Sequence, residues 1–307
     1  VAVVGPTASG KTDIAIHLAR RFHGEIILVD SRQLFRGMDI GTNKPEGEWR
    51  RANGRRTYFV EDIPYYGIDL VKPDEPFTVA QWKTFASHMI DDITNRGHLP
   101  LLEGGTGLYV NALLDSFTIP AVPPDPLLRR ELMEHIGREG IETLVREIAA
   151  TDPDALTFLD TKNPRRVIRA LEVIRATGMP FSAMRKRGRK RYNDLRIGIA
   201  RPLAELDRRI EERAKRQFAL GLEREVRKLV KRYGWDIPAM SGIGYAEWRD
   251  FFEGRMSRNE VLKRNIQRNR QLARAQLKWF RRDPLIRWVR SAKEAEHLVA
   301  NFLAPSS

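Results

Sequence analysis

Residues 5–12 read GPTASGKT, the pattern G-x-x-x-x-G-K-[ST] with Gly5, Gly10, Lys11 and Thr12 at its defining positions. Nothing else in the chain restricts its fold as strongly, because such a loop works only between a strand and a helix. Both flanks comply. VAVV before it is apolar and β-branched, and DIAIHLARRF after it carries apolar residues at Ile14, Ile16, Leu18, Ala19 and Phe22. Glycines let the backbone wrap an anion while successive N–H groups and the helix N-terminus point at it. Gly5, Pro6, Thr7, Ala8, Ser9 and Gly10 are therefore expected to line a di- or triphosphate. Lys11 would neutralise oxyanion charge, and Thr12 is placed to hold Mg²⁺. The motif leaves open whether that phosphate is transferred or discarded.

The same strand–turn–helix arrangement recurs. The apolar run Ile26 to Val29 ends in Asp30, as a buried strand does when it delivers a carboxylate to the ligand-binding edge of an α/β sheet. HLPLLEGGTGLYVNALL repeats the design, with Gly104, Gly105, Thr106 and Gly107 at the junction. Between them, residues 41–76 read as loops with short strands, and Val79, Trp82, Phe85, Met89, Ile90 and Ile93 make one helical stripe. From 115 to 195 the character changes: prolines open a set of amphipathic helices that closes on RKRGRKR at 185–191. LRIGIA at 195–200 resumes the strand pattern, and LIRWV at 285–289 reads as a last strand. A long basic helix near 257–282 is expected to turn Leu262, Ile266, Ala273, Leu277 and Phe280 inward. The fold class is thus α/β, a P-loop NTPase-like parallel sheet flanked by helices. It comprises a core of residues 1–114 and 196–307, with an all-helical insertion at 115–195.

Charge divides the chain unevenly. Residues 1–112 hold 13 basic and 14 acidic side chains, whereas the remainder holds 41 and 26, so the net charge of +14 lies wholly in the second part. A neutral phosphate-loop region joined to a basic remainder suggests a small phosphorylated substrate and a polyanion bound elsewhere. The absence of cysteine excludes disulfides, thiolate catalysis and cysteine zinc sites, and is compatible with a reducing cytoplasm. No apolar run approaches a membrane span, the first residues read as a core strand rather than a signal peptide, and the missing initial methionine suggests that a few leading residues are absent.

Two strand-end acids, Asp30 and Glu103, compete as the group that helps hold Mg²⁺ in an ordinary ATP-binding P-loop enzyme, and on that reading the protein is a kinase or ATPase. A GTPase-like RNA-binding module is a further alternative, but it ought to carry N-K-x-D, and GTNKPEG sits too early. The run DSRQLFRGMDIGT after Asp30 is longer than phosphate binding needs and suggests recognition of something larger.

GPTASGKT at 5–12, VDSRQLFRGMDIGTNKP at 29–45, PDEPFTVAQW at 73–82, LPLLEGGTGLY at 99–109, NPRRVIRALEV at 163–173, GIGY at 242–245 and RQLARAQLKWFRR at 270–282 together resemble the tRNA dimethylallyltransferases, in family order over essentially the whole chain. The resemblance implies that the loop holds the diphosphate of dimethylallyl diphosphate, which leaves. The acceptor is N6 of the adenosine 3′ of the anticodon, in a monomeric cytoplasmic enzyme that binds the tRNA anticodon stem-loop. Asp30 matches the family's catalytic aspartate, and Thr106 the threonine near the flipped adenosine. Ser31, Arg32 and Gln33 match a tRNA-contacting run, as do Gly242, Gly244 and Tyr245. Arg209 and Arg213 resemble a diphosphate-facing arginine pair, and Arg129, Arg165, Arg166 and Arg169 resemble positions that meet the stem-loop. The chain departs from the pattern at Glu103, usually apolar, and at Phe35, Ser241, Ala246 and Ala275. The same chemistry on a free adenine nucleotide is the nearest rival, and it would need no basic half.

Overall fold

The computed structural model describes residues 1–52, 54–117, 120, 122–183 and 189–304, so residues 185–188 of the RKRGRKR run lie outside the described residues. The chain folds as two compact units, Val1–Val110 with Asn193–Ser307, and Asn111–Tyr192.

The first unit is built on β1 (Ala2–Val4), α1 (Lys11–Arg21), β2 (Gly24–Val29), β3 (Glu48–Ala52), β4 (Arg55–Val60), β5 (Ile63–Tyr66), α2 (Val79–Asn95) and β6 (Leu99–Gly104). α3 (Gly107–Leu114) follows β6 directly. The sheet has the order β3-β4-β5-β2-β6-β1, extended by β7 (Arg196–Ile199) and β8 (Ile286–Val289). The run from β5 to β8 is parallel, and β3 and β4 add an antiparallel edge. Every residue of β1, β2 and β7 is buried, which is why Ala2–Val4, Ile26–Val29 and Ile197–Ile199 do not alternate with polar residues, while Glu25 and Arg196 are the buried charged exceptions. α1 supplies Ile14, Ile16 and Leu18 to the core against Ile26, Leu28 and Leu101.

α2 starts at a capping box, Thr78 with Gln81, and buries Trp82, Ala86, Ile90 and Ile93. Phe85 and Met89 of the expected stripe are only partly buried. The C-terminal part adds α7 (Leu203–Ala219), α8 (Leu222–Tyr233), α9 (Trp248–Phe252), α10 (Arg258–Phe280) and α11 (Ala292–Leu303). α10 corrects one expectation. Ala273, Leu277 and Phe280 face inward as expected, but in the first half the buried positions are Val261 and Asn265, one residue earlier than Leu262 and Ile266. The inward face there carries a polar group, so hydrophobicity alone misplaces it.

The second unit packs α4 (Pro126–Glu139), α5 (Ile141–Thr151) and α6 (Pro164–Thr177) around Leu132, Leu144, Ile148, Val167 and Leu171. α4 and α6 each begin with proline behind a side-chain cap. Asp125 accepts from the N–H groups of Leu127 and Leu128 at 2.9 and 3.1 Å, and Asn163 from that of Arg165.

Candidate active site

Sheet register assembles the site. Val4 of β1 and Val29 of β2 both pair with Gly104 of β6, so the loops that begin at Gly5, Asp30 and Gly105 leave the sheet at one level of its C-terminal edge. Gly104 permits this, since a Cβ there would lie 2.0 Å from the Val29 carbonyl oxygen.

In the phosphate loop, Ala8 (φ 65°) and Gly10 (φ 84°) adopt left-handed conformations that curl the backbone, and α1 opens at Lys11. Among the described residues the Lys11 ammonium makes no hydrogen bond, and its charge reaches buried Glu103. Four side chains brace the loop. Arg213 Nη1 donates to Thr7 Oγ1 at 2.7 Å, and Arg201 Nε donates to the Ser9 carbonyl at 3.2 Å. Arg209, ion-paired with Glu205, carries Nη1 to 3.5 Å from where a Cβ on Gly10 would stand. Gln276 accepts from Thr7 N at 2.8 Å and donates to the Gly105 carbonyl at 2.9 Å, tying the loop to the glycine turn. Arg213 thus bonds to the loop, and Arg209 lies beside it. Arg201 and Gln276 escaped the sequence reading. Arg201 follows β7 at the same sheet edge that singles out Asp30, a usable signal, but nothing local distinguishes Gln276.

Asp30 is fixed by its own turn. Its Oδ1 accepts from Arg32 N at 2.7 Å and Gln33 N at 3.1 Å, and among the described residues Oδ2 accepts no hydrogen bond. Its negative charge is felt by Glu103, Tyr65, Tyr109 and Arg213. Burial and this carboxylate push the Tyr109 phenol up to about 12 against the opposing Arg32. Burial also pulls the Arg213 guanidinium down to about 10, with Asp30 opposing. Thr106 is locked beside Asp30: its N–H donates to the Val29 carbonyl, and its hydroxyl oxygen accepts from Ser31 N, each at 3.2 Å. Among the described residues that hydroxyl donates to nothing, which leaves its proton available. Below them lies Glu103, 3% exposed, accepting from the hydroxyls of Thr12 (3.1 Å) and Tyr65. Burial raises its carboxyl above the usual range, against Lys11 and the two hydroxyls.

Several of the residues expected to contact RNA have partners within the protein. The Arg32 guanidinium donates to the carbonyls of Pro238 and Ala239, and the Gln33 amide to those of Thr42 and Asn43. Tyr245 requires a correction as an RNA contact: it is 0% exposed, and its hydroxyl donates to Glu225 Oε1 at 2.7 Å. The ring packs so tightly on residue 41 that a Cβ on Gly41 would lie 2.4 Å from it, and Gly244 takes a left-handed φ of 96° to pass Gly41. Gly242 sits against Arg32. In the helical unit, Arg129 and Arg169 converge on Glu172, which is 1% exposed and also accepts from Asp125 N, whereas Arg165 and Arg166 are exposed. The basic stripe of α10 is partly neutralised: Arg264, Arg268, Arg270 and Arg274 pair with Asp250, Glu247, Glu211 and Asp207. Among the described residues no group of three His, Asp or Glu could hold a metal, so a cation here would draw on the Thr12 hydroxyl and on substrate oxygens, a hard-oxygen set that suits Mg²⁺. Nor is any helix among them long and apolar enough to cross a membrane.

The family model described as IPP transferase matches residues 33–283. A tRNA dimethylallyltransferase from Roseiflexus sp. (strain RS-1) is 43% identical over 285 residues, covering 92% of this chain and 90% of that protein. The crystal structure of the full-length tRNA isopentenylpyrophosphate transferase from Bacillus halodurans superposes with a TM-score of 0.68 at 34% identity, covering 98% of this chain and 94% of that one. A eukaryotic dimethylallyltransferase acting on tRNA shares the fold, with a TM-score of 0.76 at 22% identity over 98% of this chain and 78% of its own.

Proposed function

The chain belongs to the IPP transferase family, a family of tRNA prenyltransferases, and from that premise we propose that it transfers the dimethylallyl group of dimethylallyl diphosphate to N6 of the adenosine immediately 3′ of the anticodon, releasing diphosphate. The observation that carries this reading is the state of Asp30. One carboxylate oxygen is pinned by two backbone N–H groups while the other accepts no hydrogen bond among the described residues, at the same sheet edge as the phosphate loop.

The chemistry needs that pairing. The N6 lone pair of adenine is delocalised into the ring, so its attack on an allylic carbon requires proton acceptance and a stabilised leaving group. The new bond joins N6 to C1 of the prenyl group, the C1–O bond breaks with its electron pair going to the diphosphate, and the N6 proton passes to Asp30 Oδ2. The backbone of Ala8 to Gly10, Lys11, Arg209 and Arg213 hold the diphosphate, and the Thr106 hydroxyl orients the base. Mg²⁺ held by Thr12 would add charge neutralisation on the diphosphate oxygens. The adenosine must leave its stack to react, at a cost of a few kcal/mol that backbone contacts offset. The α/β core, 1–114 and 196–307, binds the diphosphate, and the insertion, 115–195, contributes anticodon stem-loop contacts through Arg165 and Arg166. The enzyme acts as a monomer in the cytoplasm.

The test is mass analysis of nucleosides from unmodified tRNA incubated with the protein, Mg²⁺ and dimethylallyl diphosphate. One added prenyl group on the adenosine 3′ of the anticodon is expected. Prenylation of free adenine nucleotides with tRNA untouched, or ADP release from ATP in its place, would overturn the reading.

A further inference from the structure

Glu103 is a buried acid whose two oxygens are each committed to a hydroxyl: Thr12 Oγ1 donates to Oε1 at 3.1 Å and Tyr65 Oη donates to Oε2. It lies on β6, between β1 and β2, where packing alone favours an apolar side chain and a buried carboxylate is costly. A hydroxyl has one proton and two lone pairs. When the Thr12 proton goes to Glu103, its lone pairs must point away from the strand, toward the phosphate loop. A hard cation requires an oxygen ligand presented in that way, and Tyr65 holds the second carboxylate oxygen so that the acceptor cannot rotate.

We propose that Glu103 is a positioning residue for the cation that accompanies diphosphate: it accepts the Thr12 hydrogen bond and so sets the hydroxyl lone pairs toward the metal, with Tyr65 as its anchor. The inference rests on reading the loop as a diphosphate site. It also carries a signature that a structural role lacks. A negative charge near an anion site disfavours diphosphate alone and favours it with its cation, so Glu103 should govern the gain in diphosphate affinity that Mg²⁺ brings, and not the metal-free affinity.

The experiment is calorimetric titration of inorganic diphosphate into the full chain, with and without Mg²⁺, for wild type, Glu103→Met, Glu103→Gln and the double variant Glu103→Met/Tyr65→Phe, which leaves no buried tyrosine hydroxyl without its acceptor. Losing an outer-shell partner typically costs about 10- to 100-fold in metal affinity, so the Mg²⁺ gain should fall by that factor in Glu103→Met and in the double variant. Metal-free affinity should be unchanged or tighter. Glu103→Gln should recover part of the gain, because its amide oxygen still accepts the Thr12 proton. An undiminished gain in the two methionine variants overturns the proposal, and so does an equal fall in both affinities, which marks a structural role. A wild-type protein that binds diphosphate without any Mg²⁺ gain would overturn the metal reading of the loop and this inference with it.

Discussion

Arg213 Nη1 donates to Thr7 Oγ1 at 2.7 Å, so a guanidinium on α7 touches the first turn of the phosphate loop, while its Nη2 donates to Asn269 Oδ1 on α10. Burial lowers this group from the ordinary arginine range to about 10. The charge is therefore a cost to the folded state at neutral pH, fully present below about 10 and relieved as pH rises beyond it, where the folded protein gives up the proton before the unfolded chain does.

An anion in the loop should offset that cost. Arg213→Met is expected to keep or raise the melting temperature of the free protein, yet to lose much of the rise that diphosphate confers on wild type. Thermal melts with and without diphosphate check both signs.

Tyr245 tests whether GIGY is scaffold or RNA surface. Tyr245→Phe removes one hydrogen bond to Glu225, which retains the backbone N–H groups of Asp39, Ile40 and Gly41. A loss of about 1–2 kcal/mol in urea denaturation is expected, with tRNA affinity unchanged.

Glu172 is the electrostatic pin of the helical unit. Burial raises its carboxyl, but Arg129, the Asp125 N–H and Arg169 together hold it below its ordinary 4.5. Its stabilisation is fully present above pH 4.5 and disappears as pH falls through the lowered value. Glu172→Ala leaves two arginines facing each other and should cost about 3–5 kcal/mol, measured by denaturation at neutral pH.

Arg165 and Arg166, exposed on the same helix, separate RNA contact from such scaffolding. Arg165→Ala should weaken tRNA binding across salt concentrations and reduce the slope of log affinity against log salt by about 1. Stability should be unaffected. Filter binding across a salt series is the measurement.

Much of this was legible in the sequence because strand ends are legible. An apolar run that stops at Asp30, at Gly5 or at Glu103, just ahead of Gly104 and Gly105, announces the sheet edge, and parallel register then brings the three together. What stayed hidden depended on partners distant in the chain. Asn265 and Gln276 look like ordinary polar positions on an amphipathic helix, and only tertiary structure shows that Asn265 supports Asn269, the Arg213 partner, and that Gln276 braces the loop. Tyr245 carried a surface role by resemblance because its acceptor, Glu225, is 20 residues away on α8. The charge excess was read correctly as a total but not as a surface, since the acids that pair with the α10 arginines lie elsewhere in the chain.

The role of Asp30 is tested most directly by single-turnover prenyl transfer with Asp30→Asn, alongside tRNA affinity. The amide oxygen still accepts from Arg32 and Gln33, so the turn survives while the proton acceptor is lost. The rate should fall by about 10²–10⁴-fold with tRNA binding within a few-fold of wild type. A variant that transfers the prenyl group at near wild-type rate would contradict the account.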